Sequence, residues 1–388
     1  MRVLLVTPSY FPIVGGSEIL TQDLSTKLRK SGVATDIMTF NMNKKWNPAW
    51  KEELTKDGAA TVFKEGALNP FLGLPNPMNL FTINVLPKPG FIRKFSDYDI
   101  IHFVGEADLS FPIFSYFVKK PKLFQCVGIF RKGGIYKDYT SDRVFLRARA
   151  KTFKRIFPRI ADKFIISSFE EKELLTDLGV PENKIVLLPI GVDTEIFRPD
   201  PSKKTEVMLL FVGRIDRIKG LHTLLQALPY VKIPVKLTII GPPWDPDYVR
   251  EIEKMSQAIN SVGFHKVTMI GGLSSTDLVP WYQKASLLVC PYLYETFSNV
   301  TREALACGTP VVSTGSHLMD NCSDGILLAQ QDPRDLANVI NNLLAKPQVC
   351  ERLGKQGRSI IEKYFSMDSV VKDLIKLYED TLNLYPRY

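Results

Sequence analysis

Histidine is scarce in this chain. Only His102, His222, His265 and His317 occur in 388 residues, none at metal-ligand spacing from another, so a metal site is not expected. Cysteine is nearly as rare. Cys126, Cys290, Cys307, Cys322 and Cys350 are odd in number, scattered, and without a Cys-x-x-Cys pair. That argues against a disulfide framework and a zinc cluster and leaves reduced, mostly buried thiols as the expectation. No stretch approaches 18 apolar residues free of charge, so no segment is expected to cross a bilayer, while peripheral association stays open. The opening Met1-Arg2-Val3-Leu4-Leu5-Val6-Thr7-Pro8 is too brief for a signal-peptide core and lacks a small-residue cleavage site. It reads as a buried strand, and the protein is expected to be cytoplasmic. Internal repeats and low-complexity tracts are also lacking, which sets aside solenoids and linker-rich chains.

What is present is ordinary globular material, 45% hydrophobic and 23% charged, at a length that suits two domains. The charge is placed unevenly. Residues 1–185 carry 28 Lys and Arg against 19 Asp and Glu, so they hold the whole formal charge of +9, while the rest of the chain carries 22 of each. A one-sided balance of this kind points to an anionic partner for the first half.

Short runs of Val, Ile and Leu alternate with longer helix-like stretches: Val3–Val6, Asp99–His102, Phe164–Ser167, Met208–Val212, Leu237–Ile240 and Leu287–Cys290. Near-continuous apolar strands separated by helices predict an α/β fold with parallel, doubly wound sheets covered on both faces. A boundary falls near Leu187–Asp193, because Met208–Val212 then restarts a strand with a glycine turn of its own. The expected domains are Rossmann-like: 1–188, completed by helices from about 367 to 388, and 189–366. The stretch Leu68–Phe91, with five prolines among apolar residues, is either a packed Ω-type loop or a surface for something apolar.

Three loops carry candidate chemistry. Gly15-Gly16 follows the first strand and precedes Ile19, Leu20, Leu24 and Leu28 at helical spacing. A strand, a double glycine and a helix start let backbone N–H groups face a phosphate, although a tight turn would use the same residues. Arg214 and Lys219, in Gly213-Arg214-Ile215-Asp216-Arg217-Ile218-Lys219-Gly220, stand between a strand and a helix and can converge on a diphosphate. Glu295 lies in the loop after Leu287–Cys290, and Glu303 lies inside a helix predicted from about Ser298 to Ala306, ended by Gly308 and Pro310. N–H groups at Phe297 to Val300 can cap an anion there, and the two carboxylates can accept from sugar hydroxyls.

The combination of Gly15-Gly16, Gly213-Arg214 with Lys219-Gly220, and Glu295 with Glu303 in E-T-F-S-N-V-T-R-E-A-L-A-C-G-T-P-V-V closely resembles the retaining glycosyltransferases of the GT-B fold, group 1 or family 4. The likeness spans nearly the whole chain and is most specific in the C-terminal motifs. It implies two Rossmann-like domains facing across a cleft. It also implies a metal-independent, retaining sugar transfer from a nucleotide-sugar, with a UDP- or GDP-sugar expected and no further cofactor. Arg214 and Lys219 would bind the donor diphosphate and offset its charge as it leaves. Glu303 would hold the ribose and Glu295 the transferred sugar. Backbone groups at Phe297, Ser298, Asn299 and Val300 would meet the phosphates and sugar, Ile270 would lie near the base, and Gly16 would approach the donor phosphate from the other domain.

The chain departs from that pattern in its first half. Val127 occupies the place where many relatives carry histidine, and Asp99-Ile100-Ile101-His102-Phe103-Val104 keeps one of two histidines. His102 reads better as a core residue than as a catalytic one, and Glu106 is the substitute candidate. Asp142–Lys163 gathers eight cations, among them Arg147, Lys151, Lys154 and Arg155, with interleaved apolar residues. The segment reads as a basic amphipathic helix for an anionic membrane surface or acceptor, or as an ordinary solvated face. The expected acceptor is thus a glycan, lipid-linked or phosphorylated group. A degenerate, non-catalytic partner subunit is the alternative, and nucleic-acid binding is not expected because no recognised module appears.

Overall fold

The computed structural model describes residues 1–8, 10, 16–40, 53–65, 67–68, 86–87, 90–105, 115, 118–127, 154–203, 206–293, 298–315 and 325–385. They form two compact units: Met1–Ile190 with Val370–Tyr388, and Gly191–Ser369.

In the first unit the strands are β1 (Arg2–Val6), β2 (Ala34–Phe40), β3 (Glu53–Asp57), β4 (Ala60–Glu65), β5 (Ala67–Leu68), β6 (Leu86–Pro87), β7 (Ile100–Gly105), β8 (Lys122–Cys126), β9 (Lys163–Ile166) and β10 (Ile185–Leu187). Eight of them make one sheet, in the order β10-β9-β8-β7-β1-β2-β4-β3. All of its pairings are parallel except the β3–β4 hairpin. β1, β7 and β8 are buried almost end to end, as the apolar runs require when helices cover both faces. One face packs an aromatic core in which Phe95, Phe103, Phe124, Phe157 and Phe164 meet. Helix Phe169–Asp177 starts on a capping box: the Ser168 hydroxyl accepts from the Glu171 N–H, and the Glu171 carboxylate accepts from the Ser168 N–H.

The second unit contains β11 (Met208–Val212), β12 (Lys236–Ile240), β13 (Lys266–Ile270), β14 (Leu287–Cys290), β15 (Val311–Ser313) and β16 (Ile326–Leu328). All pairings are parallel, in the order β13-β12-β11-β14-β15-β16. The chain winds outward from β11 to β13, then returns to β14 and winds the other way. That is the dinucleotide-fold order, and its reversal between β11 and β14 opens a crevice beyond the carboxyl ends of those strands. Helix Pro246–Val262 is bounded as its sequence asks, with Asp245 accepting from the N–H groups of Asp247 and Tyr248, Pro246 at the first turn, and left-handed Gly263 closing the end.

Two expectations shift. His102 does not end its strand: β7 runs on to Gly105 and buries His102 in mid-strand. The basic segment is not helical through Lys163 either. A 3-10 turn at Phe157–Arg159, with a proline in it, ends that stretch, and Lys163 opens β9. The proline cannot donate to a helix ladder, and Ile160 and Phe157 are drawn into the core instead.

Candidate functional site

The Arg214 loop follows β11 at the reversal point of the second sheet. Its shape is set by close backbone approaches. Gly220 is left-handed, with φ 63°, and a Cβ there would lie 1.8 Å from the carbonyl oxygen of Pro291. Ile218 accepts from the Leu293 N–H at 3.0 Å, so this loop and the start of the β14 loop are joined. On the other side Ile215 donates to the Pro242 carbonyl at 3.0 Å, and a Cβ on Gly241 would meet the Gly213 carbonyl at 1.8 Å. Asp216 caps the 3-10 turn Arg217–Lys219 by accepting from the Ile218 N–H.

The cations are therefore held on a rigid frame. Arg214 is stacked on Trp244, 4.4 Å from the ring centroid, with Asp216 3.9 Å from its guanidinium. Lys219 lies 4.6 Å from the centroid of the buried Tyr292 ring. Helix Asn299–Ala306 follows β14, and the Ser298 hydroxyl accepts from the Thr301 N–H as its N-cap. The remaining first-turn N–H groups, on Asn299 and Val300, have no intrahelical acceptor, so the start of this helix carries the positive end of its dipole and can meet an anion.

Glu303 is half-buried one turn further along. Its carboxylate accepts from the Tyr282 phenol at 2.7 Å and lies 3.4 Å from the Ser275 hydroxyl. Burial pushes its proton affinity up, while the Tyr282 hydrogen bond, the nearby Arg302 charge and Ser275 pull it back down. Tyr282 is fully buried, and burial together with the Glu303 carboxylate holds its phenol well above the ordinary range. Ile270, at the end of β13, is partly buried against the core, and its carbonyl accepts from the Gly241 N–H at 3.2 Å. Glu295 and Phe297 lie outside the described residues.

In the first unit Gly16 begins helix Gly16–Lys30, and among the described residues nothing lies within 4 Å of where a Cβ would stand. Glu18, in the first turn, is buried and accepts from the Ser17 hydroxyl at 3.1 Å. His102 is fully buried, with Nδ1 2.6 Å from the Tyr378 hydroxyl, and burial pushes its pKa down to about 3. Val127 follows β8, donating its N–H to Gly105 at 3.0 Å. Lys154 and Arg155 are exposed, on the turn that precedes Phe157. Glu106, Arg147 and Lys151 lie outside the described residues.

The family model for glycosyl transferases group 1 matches residues 206–346, and that for Glycosyltransferase Family 4 matches residues 14–196. The chain is a group 1, family 4 type glycosyltransferase of the GT-B fold. This glycosyltransferase is 28% identical over 236 residues to the MMP alpha-(1->4)-mannosyltransferase of Mycolicibacterium hassiacum, across 59% of this chain and 56% of that protein. It is 28% identical over 247 residues to the D-inositol 3-phosphate glycosyltransferase of Thermobifida fusca, across 58% and 56%. These two matches thus span little more than half the length of those relatives. An uncharacterized glycosyltransferase of Methanocaldococcus jannaschii is 25% identical over the full length of both chains. Among solved structures, sucrose-phosphate synthase from Thermosynechococcus elongatus superposes with a TM-score of 0.73 at 23% identity, over 99% of this chain and all of that one. Anabaena HepE in complex with UDP superposes at 0.72 and 18%, over 98% of this chain and all of that one.

Sequence reasoning missed Tyr282, Ser275 and Trp244. Tyr282 and Ser275 stand 21 and 28 residues from Glu303 on another helix, and only the packing of the glycosyltransferase's second unit joins them. Trp244 did leave a signal: a large aromatic residue in the proline-rich turn after a strand, where no core position is available.

Proposed function

We propose that this chain transfers a sugar from a nucleotide-sugar to an acceptor hydroxyl, with retention of configuration and without a metal. The observation that carries the proposal is the gathering, at the reversal point of the second sheet, of Arg214, Lys219, the first turn of helix Asn299–Ala306 and Glu303. Two cations and a helix N-terminus suit a diphosphate, and a carboxylate a turn away suits the two hydroxyls of a ribose. In the transfer, the bond from the anomeric carbon to the phosphate oxygen breaks and its electron pair leaves with the nucleoside diphosphate. The acceptor oxygen bonds that carbon, and its proton passes to the leaving phosphate. Arg214 and Lys219 stabilise the charge that develops on the diphosphate, the role that preorganised cations serve at a leaving group. Glu295 is assigned to hydroxyls of the transferred sugar, Ile270 to the neighbourhood of the base, Gly16 to the donor phosphate and Glu106 to the acceptor side. A UDP- or GDP-linked donor is proposed.

The acceptor is proposed to be anionic or lipid-linked. The +9 confined to residues 1–185 supports this, with Arg147, Lys151, Lys154 and Arg155 as the face that meets it. So does a relative whose name gives D-inositol 3-phosphate, a phosphorylated polyol, as the molecule it glycosylates.

Thermal unfolding in the presence of UDP, GDP, ADP and their sugar conjugates tests the proposal, with Glu303→Ala and Lys219→Ala as controls. One nucleotide should raise the midpoint of the wild type and neither variant should respond. No shift with any nucleotide would reject donor binding and favour a degenerate, non-catalytic subunit.

A further inference from the structure

The Arg214 loop holds three cations, and each lies over an aromatic face from a different neighbouring element: Arg214 over Trp244, Arg217 over Tyr248 and Lys219 over Tyr292. Two of these rings belong to the core. Tyr248 and Tyr292 are buried, and the Tyr248 hydroxyl also accepts from the His222 N–H at 3.0 Å. Trp244 differs, because 60% of its surface is exposed. An indole left this open adds little to the core, and hydrophobic burial does not account for its placement.

Its backbone is nevertheless fixed with care. Trp244 stands in Gly241-Pro242-Pro243-Trp244-Asp245-Pro246, where three prolines restrict the chain. Ile215, the residue after Arg214, donates to Pro242 at 3.0 Å and accepts from the Asp245 N–H at 3.4 Å, so it is laced to the turn on both sides of Trp244. The Asp245 side chain in turn caps helix Pro246–Val262. The indole and the guanidinium therefore ride on one framework, and their stacking is not a chance meeting of two long surface side chains.

A guanidinium presents its N–H groups in its own plane, so whatever fixes the plane fixes the direction of donation. The indole face 4.4 Å from the guanidinium carbon restricts the planes open to it, and the Asp216 carboxylate 3.9 Å away adds an electrostatic restraint. We propose that Trp244 is a positioning residue: it holds Arg214 so that the guanidinium edge meets the diphosphate of the donor. This rests on the donor-site reading above. Freed from the indole, Arg214 keeps its charge but must be ordered by the ligand itself, and that ordering weakens binding of the diphosphate in particular.

The test is isothermal titration of the whole protein with the nucleoside diphosphate selected by the thermal panel, and with the matching nucleoside, on wild type, Trp244→Ala, Trp244→Phe, Arg214→Ala and the Trp244→Ala/Arg214→Ala double variant. Trp244→Ala should weaken the diphosphate about 3- to 10-fold, from the usual strength of a cation–π stack, and leave the nucleoside unchanged. Trp244→Phe should recover most of the loss, and in the Arg214→Ala background Trp244→Ala should change nothing further. Equal diphosphate affinity in Trp244→Ala, a loss that persists without Arg214, or a parallel loss of the nucleoside would each overturn the assignment while leaving the donor site standing. A wild type that binds no nucleoside diphosphate would instead overturn the donor-site reading, and this inference with it.

Discussion

Tyr282 donates its phenolic hydrogen to the Glu303 carboxylate at 2.7 Å from a helix 21 residues earlier in the chain. The bond favours the ionised carboxylate against the burial that opposes it, so removing it moves the acid–base balance in a known direction. Tyr282→Phe should therefore raise the pKa of Glu303 further, and the acid limb of nucleotide binding should move to higher pH. Titrations of the preferred nucleotide between about pH 5 and 8 check this, since that range lies above the ordinary carboxyl value. An unmoved limb would show that Glu303 does not control binding.

The buried pair of His102 and Tyr378 makes stability depend on pH. His102 has a pKa of about 3 in the folded chain against 6.5 ordinarily. The folded state resists the proton and the unfolded chain takes it. The contribution is thus fully present above pH 6.5 and is lost as pH falls from there toward 3, with a slope of up to about 1.4 kcal/mol per pH unit. His102→Leu with Tyr378→Phe replaces both partners by apolar groups, so that neither is left unpaired. Urea midpoints should fall between pH 7 and 5 less steeply in this double variant than in the wild type.

Gly220 and Gly16 make opposite predictions. A methyl at Gly220 would collide with the Pro291 carbonyl at 1.8 Å and sit at positive φ, while a methyl at Gly16 meets nothing within 4 Å among the described residues. Gly220→Ala should lower stability by roughly 2–4 kcal/mol, in the range of strained backbone plus a steric clash. Gly16→Ala should leave stability within about 0.5 kcal/mol, as for an open surface site. Thermal melts of the two variants, side by side, settle the contrast.

The exposed Lys154 and Arg155, with Arg147 and Lys151 in the same basic stretch, give the acceptor proposal its own test. Replacing Lys151, Lys154 and Arg155 by Gln should weaken co-sedimentation with vesicles rich in anionic lipid, at roughly 1 kcal/mol per neutralised cation near the surface. Vesicles of neutral lipid serve as the reference. Unchanged sedimentation would remove the membrane from the proposal.

Much of the fold was legible because parallel sheets buried on both faces leave a coarse mark: short apolar runs, two of them closed at once by a glycine (Val212-Gly213, Ile240-Gly241), separated by amphipathic stretches. The Arg214 loop was legible for the same reason, since Gly213 and Gly220 bracket its cations in sequence. The partners of Glu303 were not. A hydrogen bond between helices depends on how far each is rotated about its axis, and nothing in the spacing of Ser275, Tyr282 and Glu303 records that. The length of β7 was misjudged because His102 looks like a polar terminus, and the Tyr378 hydroxyl that lets it lie buried is 276 residues away.

That distance bears on how the chain comes to be folded. Residues 191–369 are one unbroken segment, so the second unit has everything it needs once they have been synthesised. The first unit waits for Val370, Val371, Leu374 and Tyr378, which are buried, and for Tyr385, whose hydroxyl donates to Asp162 at 2.8 Å. On the ribosome the half made first is thus completed last. A chain cut after residue 369 keeps every residue of the second unit but leaves the first without the residues that bury His102, so the two units differ in what a C-terminal truncation removes.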